Sequence, residues 1–143
     1  MGVILVVLAG IICLVYTSYF IRIMRGDPQG FEVQMIKALA EWIITKGAVS
    51  KRYIWAMFFL SLLVEMLYFW LTIVLINNPV MIALTALFIA VESYHLIRIA
   101  VSLNRFFIGK ALLSHIFNWR VERASAIFFF THSFLVLAIL IFF

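Results

Sequence analysis

Four apolar runs dominate the chain, at about 2–21, 53–76, 80–103 and 124–143, each long enough as an α-helix to cross a hydrocarbon layer about 30 Å thick. The second and third are parted only by Asn77-Asn78-Pro79, an uncharged turn that makes them an antiparallel hairpin. The first ends at Arg22, Arg25 and Asp27-Pro28, because charges stay at headgroup level and proline cannot continue the helical ladder. That run has no basic leader and is longer than the apolar core of a cleavable signal, so it reads as a retained span.

Between the first two runs, residues 31–46 are too polar to span and too apolar for a solvated loop. Gln34, Lys37, Glu41 and Thr45 form one stripe, with Phe31, Met35, Ile36, Leu39, Trp42 and Ile43 apolar, which predicts a helix lying in the membrane interface and stopping at Gly47. The connection from 104 to 123 mixes Arg105, Lys110, Arg120 and Arg123 with Phe106, Phe107, Ile116, Phe117 and Trp119. A second interfacial helix is expected over 105–119, with His115 and Asn118 as ordinary headgroup-level residues. The fold class is therefore all-α: one polytopic domain of four transmembrane helices with two cytoplasmic interfacial amphipathic helices.

Composition supports lipid as the solvent, since the 143 residues are 67% hydrophobic and only 12% charged. Soluble domains carry roughly a quarter charged residues. After four spans little chain remains for a catalytic domain. No nucleophile with an adjacent base, no phosphate-cradling Gly loop and no deaminase signature is present, so the reading leans away from an enzyme. All 11 Lys and Arg fall within 22–52 and 98–123. Such one-sidedness predicts cytoplasmic basic loops and both termini outside, in a multi-pass cell membrane protein. Lys37, Lys46, Lys51, Arg52, Arg105, Lys110, Arg120 and Arg123 lie next to spans and point to anionic lipid headgroups rather than nucleic acid as the counter-charge. The single Cys13 excludes a disulfide framework and a Cys-based zinc site.

Chemistry enters through Glu65, Glu92, His95, Arg98 and His132, which lie inside apolar runs. An ionisable group costs about 2.5–3.5 kcal/mol at the bilayer centre and is kept only where it faces protein or water. Ser61, Glu65, Tyr68 and Thr72 recur at i, i+4, i+7 and i+11 and share one helix side. Small residues form two further stripes, Gly10, Cys13 and Thr17, and Ala83, Ala86, Ala90, Ser93, Ile97 and Ala100, which predict close helix packing. A homo-oligomer, or a subunit of a larger membrane complex, follows from a span with both a small-residue side and a polar side. Counting inward from Tyr53, Leu103 and Ala124 at about 1.5 Å per residue puts Glu65 and Glu92 near mid-membrane, with His95 and His132 one turn nearer the cytoplasm and Arg98 lower still. One shared cluster is expected.

Three chemistries fit such a cluster. Carboxylates and imidazoles along a low-dielectric interior suit a proton or cation path, with Ser61, Tyr68 and Thr72 as a hydroxyl ladder and Arg98 and Arg105 tuning the mouth. The same groups fit a structural subunit with no transport of its own, Arg98 offsetting Glu92 and the polar contacts fixing helix register. Glu92-x-x-His95, with His132 and Glu65, also has the makings of an iron site, or of a haem clamped between His95 and His132 beside Phe128–Phe130. The expectation carried forward is the proton or cation relay, which requires no cofactor; the ion is left open. A phage pore would share the size and basic loops, but would not require buried carboxylates.

Overall fold

The computed structural model describes residues 1–143 and contains five α-helices and no strand. They are α1 (Gly2–Met24), α2 (Gln29–Lys46), α3 (Ser50–Leu75), α4 (Pro79–Phe107) and α5 (Trp119–Phe142). Four helical stretches, those ending in α1, α3, α4 and α5, are long and apolar enough to cross a membrane. Large side chains such as Ile4, Leu14, Leu63, Trp70 and Phe134 are exposed along these helices, an arrangement that needs an apolar solvent.

Local chemistry sets where the helices stop. At the ends of α1 and α4, Gly26 (φ 76°) and Gly109 (φ 80°) take the left-handed conformation. The amides of Asp27 and Lys110 then reach back to the carbonyls of Arg22 and Arg105, closing two Schellman motifs. The Asn-Asn-Pro turn does more than turn: the Asn78 Oδ1 accepts from the amides of Val80 and Met81 at 2.9 and 3.2 Å, with Pro79 in the first turn of α4.

Residues 108–118 depart from expectation. Instead of an interfacial helix over 105–119, α4 continues through Phe107, and after Gly109 only a short 3₁₀ turn at Leu113–His115 is helical. Ile116 inserts against Ile54 and Leu103, so apolar side chains here seal the end of the bundle. Asn118 is the N-cap of α5, accepting from the Arg120 amide at 3.2 Å. In α2, Leu39, Trp42 and Ile43 pack on the same apolar cluster, while Gln34, Lys37, Glu41 and Thr45 are exposed.

The main core lies nearer the termini, where Leu5, Ala9, Tyr68, Leu71, Phe88, Phe129 and Val136 are almost fully enclosed. α1 lies along α5, with Tyr16 stacked on Phe129 and Phe20 on Phe130 at centroid distances of 5.1 and 4.1 Å. The small-residue stripes are not the most enclosed faces of their helices: Gly10, Cys13 and Thr17 are half-buried and most of the α4 stripe is exposed. A side chain at Gly10 would meet open space, and α1 buries Leu5, Ala9, Ile12 and Tyr19 instead. Ala83, Ala86, Ala90, Ser93 and Ile97 are exposed, and α4 buries the opposite face, including Met81, Thr85, Phe88, Glu92 and His95.

Candidate functional site

Helices α4 and α5 run antiparallel in a register fixed by three polar contacts. His95 meets Glu122, Glu92 meets Ser125 and Thr85 meets His132, so each step down α4 is matched by the same step up α5. On α4, Glu92 and His95 are i and i+3 and share a face; on α5, Glu122 and Ser125 do the same.

At the level nearer the basic loops, His95 bridges two carboxylates. Its Nδ1 lies 2.8 Å from the Glu92 Oε1 and its Nε2 lies 2.6 Å from the Glu122 Oε1. The Ser125 hydroxyl donates to the other Glu92 oxygen at 2.8 Å. Each short N···O contact requires a proton, so Glu122, His95 and Glu92 together hold two, whichever atom carries each. A proton can therefore pass between Nε2 and Glu122, or between Nδ1 and Glu92, with little heavy-atom movement.

Deeper in the bundle, His132 forms a second, separate network. Its Nδ1 is 2.7 Å from the Tyr68 hydroxyl and its Nε2 is 2.8 Å from the Thr85 hydroxyl. Thr85 donates its only proton to the Met81 carbonyl, so Nε2 must donate to Thr85, and Nδ1 accepts from Tyr68 when the ring is neutral. Thr72 donates to the Tyr68 carbonyl within its own helix and offers no proton to a path.

A third network ties the basic end together. Arg123 donates from Nε and Nη2 to the Glu32 Oε2 and Oε1 at 2.8 and 2.6 Å, and the Tyr19 hydroxyl donates to Oε2 at 2.5 Å. It joins α1, α2 and α5 and brings both basic loops to one end of the bundle. Burial alone pushes the Glu32 carboxyl upward, but the hydrogen bonds from Arg123 and Tyr19 and the Arg123 charge outweigh it and hold the group below its ordinary value.

Of the residues singled out from the sequence, Glu92 and His95 meet directly, but the expected single cluster is split. His132 is level with Thr85, ten residues along α4 from His95, or about 15 Å at 1.5 Å per residue. Levelling Leu103 with Ala124 was the error, because α5 begins at Trp119 and its first turns lie alongside His95. Arg98 does not offset Glu92; its guanidinium donates to Tyr94 at 3.0 Å on the exposed side of α4. The haem geometry fails for the same reason as the cluster: His95 and His132 do not face one another, and all four ring nitrogens are engaged by side chains. No group of three His, Cys, Asp or Glu converges in metal-ligand geometry.

Glu65 stands apart. Its Oε1 accepts from exposed Ser61 at 3.4 Å, the long limit of a hydrogen bond, and its buried Oε2 has no partner at all. Two small, separate cavities border these groups. One of about 50 Å³, lined by Arg98, Ser102, His115 and Asn118, reaches His95 and Glu122 from the loop end. Another of about 80 Å³ has Glu65 and Glu92 in the same wall. Each has room for a few waters.

Sequence reasoning missed Glu122, Ser125, Thr85 and Glu32. Glu122 and Ser125 repeat the i, i+3 spacing of Glu92 and His95, a signal hidden by assigning 122 to a loop. Thr85 lies seven residues before Glu92 on the same helix face. The fold and these contacts define a four-helix membrane-type bundle with separate buried polar networks. No protein-family model, no curated protein and no solved structure matches the chain.

Proposed function

We propose that this chain is an integral membrane subunit that relays protons between the basic-loop side, taken as cytoplasmic, and carboxylates in the middle of the membrane. The carrying observation is His95 held at both nitrogens by Glu92 and Glu122. A proton that enters through the loop-end cavity and sits on Glu122 passes to Nε2 as Nδ1 gives its own proton to Glu92, so one N–H bond forms while the other breaks and one proton crosses the ring; a tautomer change then resets it. Beyond Glu92 the cavity shared with Glu65 continues the path. Ser61 borders Glu65, whereas Tyr68, Thr72 and His132 belong to a closed network outside it.

Past this level Phe69, Phe88 and Leu71 fill the core, so one copy delivers protons to mid-membrane and the interface with a second copy, present in the same proteoliposome, completes the crossing. The exposed small side of α4, Ala83, Ala86, Ala90 and Ser93, suits a second copy or another subunit, because small side chains let helices approach closely. Lys37, Lys51, Arg105, Lys110 and Arg120 would meet anionic headgroups at the basic end.

The test is proton flux in proteoliposomes under a pH gradient, with Glu92→Gln and Glu122→Gln beside wild type. Flux well above empty vesicles that falls at least about tenfold in both variants is expected, the ordinary scale for losing one proton-transfer group being about 10²–10⁴. Variants with full flux would refute the relay. A structural subunit is the second reading, favoured because the carboxylates Glu32, Glu92 and Glu122 are all taken up in ion pairs. It expects the same substitutions to lower stability while wild type carries no flux.

A further inference from the structure

Between α1 and α3 lies a groove of about 360 Å³ outside the three hydrogen-bond networks above. Ile11, Val15, Leu60 and Val64 form its sides, Phe129 closes the back, and Glu65 lies in its wall. Its volume falls in the class of small-molecule sites, about 300–1,000 Å³, and its lining has the usual composition: apolar walls with one charged group.

Glu65 is the anomaly that gives the groove a chemistry. Glu32 and Glu92 have a cation, an imidazole or a hydroxyl on each oxygen and Glu122 is paired with His95 through one, whereas the Glu65 Oε2 is enclosed and unpartnered and no salt bridge reaches it. A carboxylate enclosed this way lacks both a counter-charge and a donor. Ser61 donates only to the other oxygen, at 3.4 Å, and brings no charge. The missing group is one that brings positive charge and N–H bonds on an apolar body.

We propose that the α1/α3 groove binds an amphiphilic amine in its ammonium form, the Glu65 carboxyl turning its enclosed Oε2 toward the groove to accept an N–H while the apolar body lies between α1 and α3. Tyr16, also in the groove wall and stacked on Phe129, offers an aromatic face to the same cation. On release, a proton takes the place of the ammonium on the carboxylate, so charge in the groove is conserved. The site shares Glu65 with the far end of the proposed relay but does not rest on it, since amine binding is tested without a gradient and needs neither Glu122 nor His95.

The probe is 1-naphthylmethylamine, measured by equilibrium dialysis against the full chain in nanodiscs, with empty nanodiscs subtracted. Its neutral counterpart, 1-naphthalenemethanol, is measured in parallel. Saturable binding of the amine near one per chain is expected. Glu65→Gln, equal in shape but uncharged, should weaken it by about ten- to a hundredfold, the worth of one charge-assisted hydrogen bond. Val15→Trp, at an exposed position, should fill the groove and weaken binding as much while leaving helicity unchanged. Three results overturn the proposal: no saturable amine binding to wild type, equal binding to either variant, or an alcohol bound as tightly as the amine. The last would make the groove a slot for acyl chains.

Discussion

Removing the Arg123 guanidinium should strand a buried charge at the basic end. In Arg123→Ala, Glu32, 4% exposed, loses two short charge-assisted bonds and keeps only that from Tyr19. Breaking a buried pair from one side costs about 3–5 kcal/mol. Because the Arg123 side chain is itself 31% exposed, water enters the vacated space and the lower end, about 3 kcal/mol, is expected. Glu32→Gln keeps neutral hydrogen bonding and frees a cation that can turn outward, so it should cost only about 1 kcal/mol. The double variant should then show a coupling of about 2 kcal/mol. Acidity gives a second readout. Since the Glu32 carboxyl is held below 4.5, its contribution is fully present above that pH and is lost as pH falls through the lowered value. In Arg123→Ala the lowering influence of Arg123 is gone and burial favours the neutral acid, so the gap from wild type should narrow on acidification. The assay is reversible unfolding in mixed phosphocholine and dodecyl sulfate micelles, followed by tryptophan fluorescence at pH 7 and near pH 4. Equal stability of wild type and Arg123→Ala at pH 7, or a gap that widens in acid, would refute the reasoning.

Other outcomes follow from the same contacts. Glu65→Leu removes the unpartnered oxygen and should raise stability by about 1–3 kcal/mol in the same micelle titration while abolishing amine binding; a loss of stability would mean the carboxylate has a partner. His132→Ala should cost about 3–4 kcal/mol, from an orphaned Tyr68 hydroxyl together with a new cavity beside Phe69 and Phe88. Its thermal midpoint should drop, yet flux per folded molecule should be unchanged, because His132 shares no hydrogen bond with Glu92 or His95; a matching loss of flux would join the two networks.

The number of spans, the α3–α4 hairpin and the clustering of positive charge were legible in the residue order, because each depends on local facts. An apolar run either matches a bilayer in length or it does not, and Asn-Asn-Pro can only turn. Glu92 and His95 were equally legible as a pair, since i, i+3 spacing on one helix forces them together. The second interfacial helix was not. Ile116 and Phe117 gave an apolar periodicity like that of a membrane-surface helix, but Ile116 is buried against α3 and α4 after Gly109 has ended α4.

Which groups touch across helices was decided only by packing. An apolar run shows where lipid begins but not how far a helix continues beyond it, and α5 starts at Trp119, well before its apolar stretch. That extension sets its register on α4. It pairs Glu122 with His95, sends His132 to Thr85 and Tyr68, and leaves the Glu65 Oε2 without a partner. Sequence periodicity fixes the angular position of a side chain on its own helix; relative height between helices comes from side-chain interlocking, so only the tertiary structure could divide one apparent cluster into separate networks.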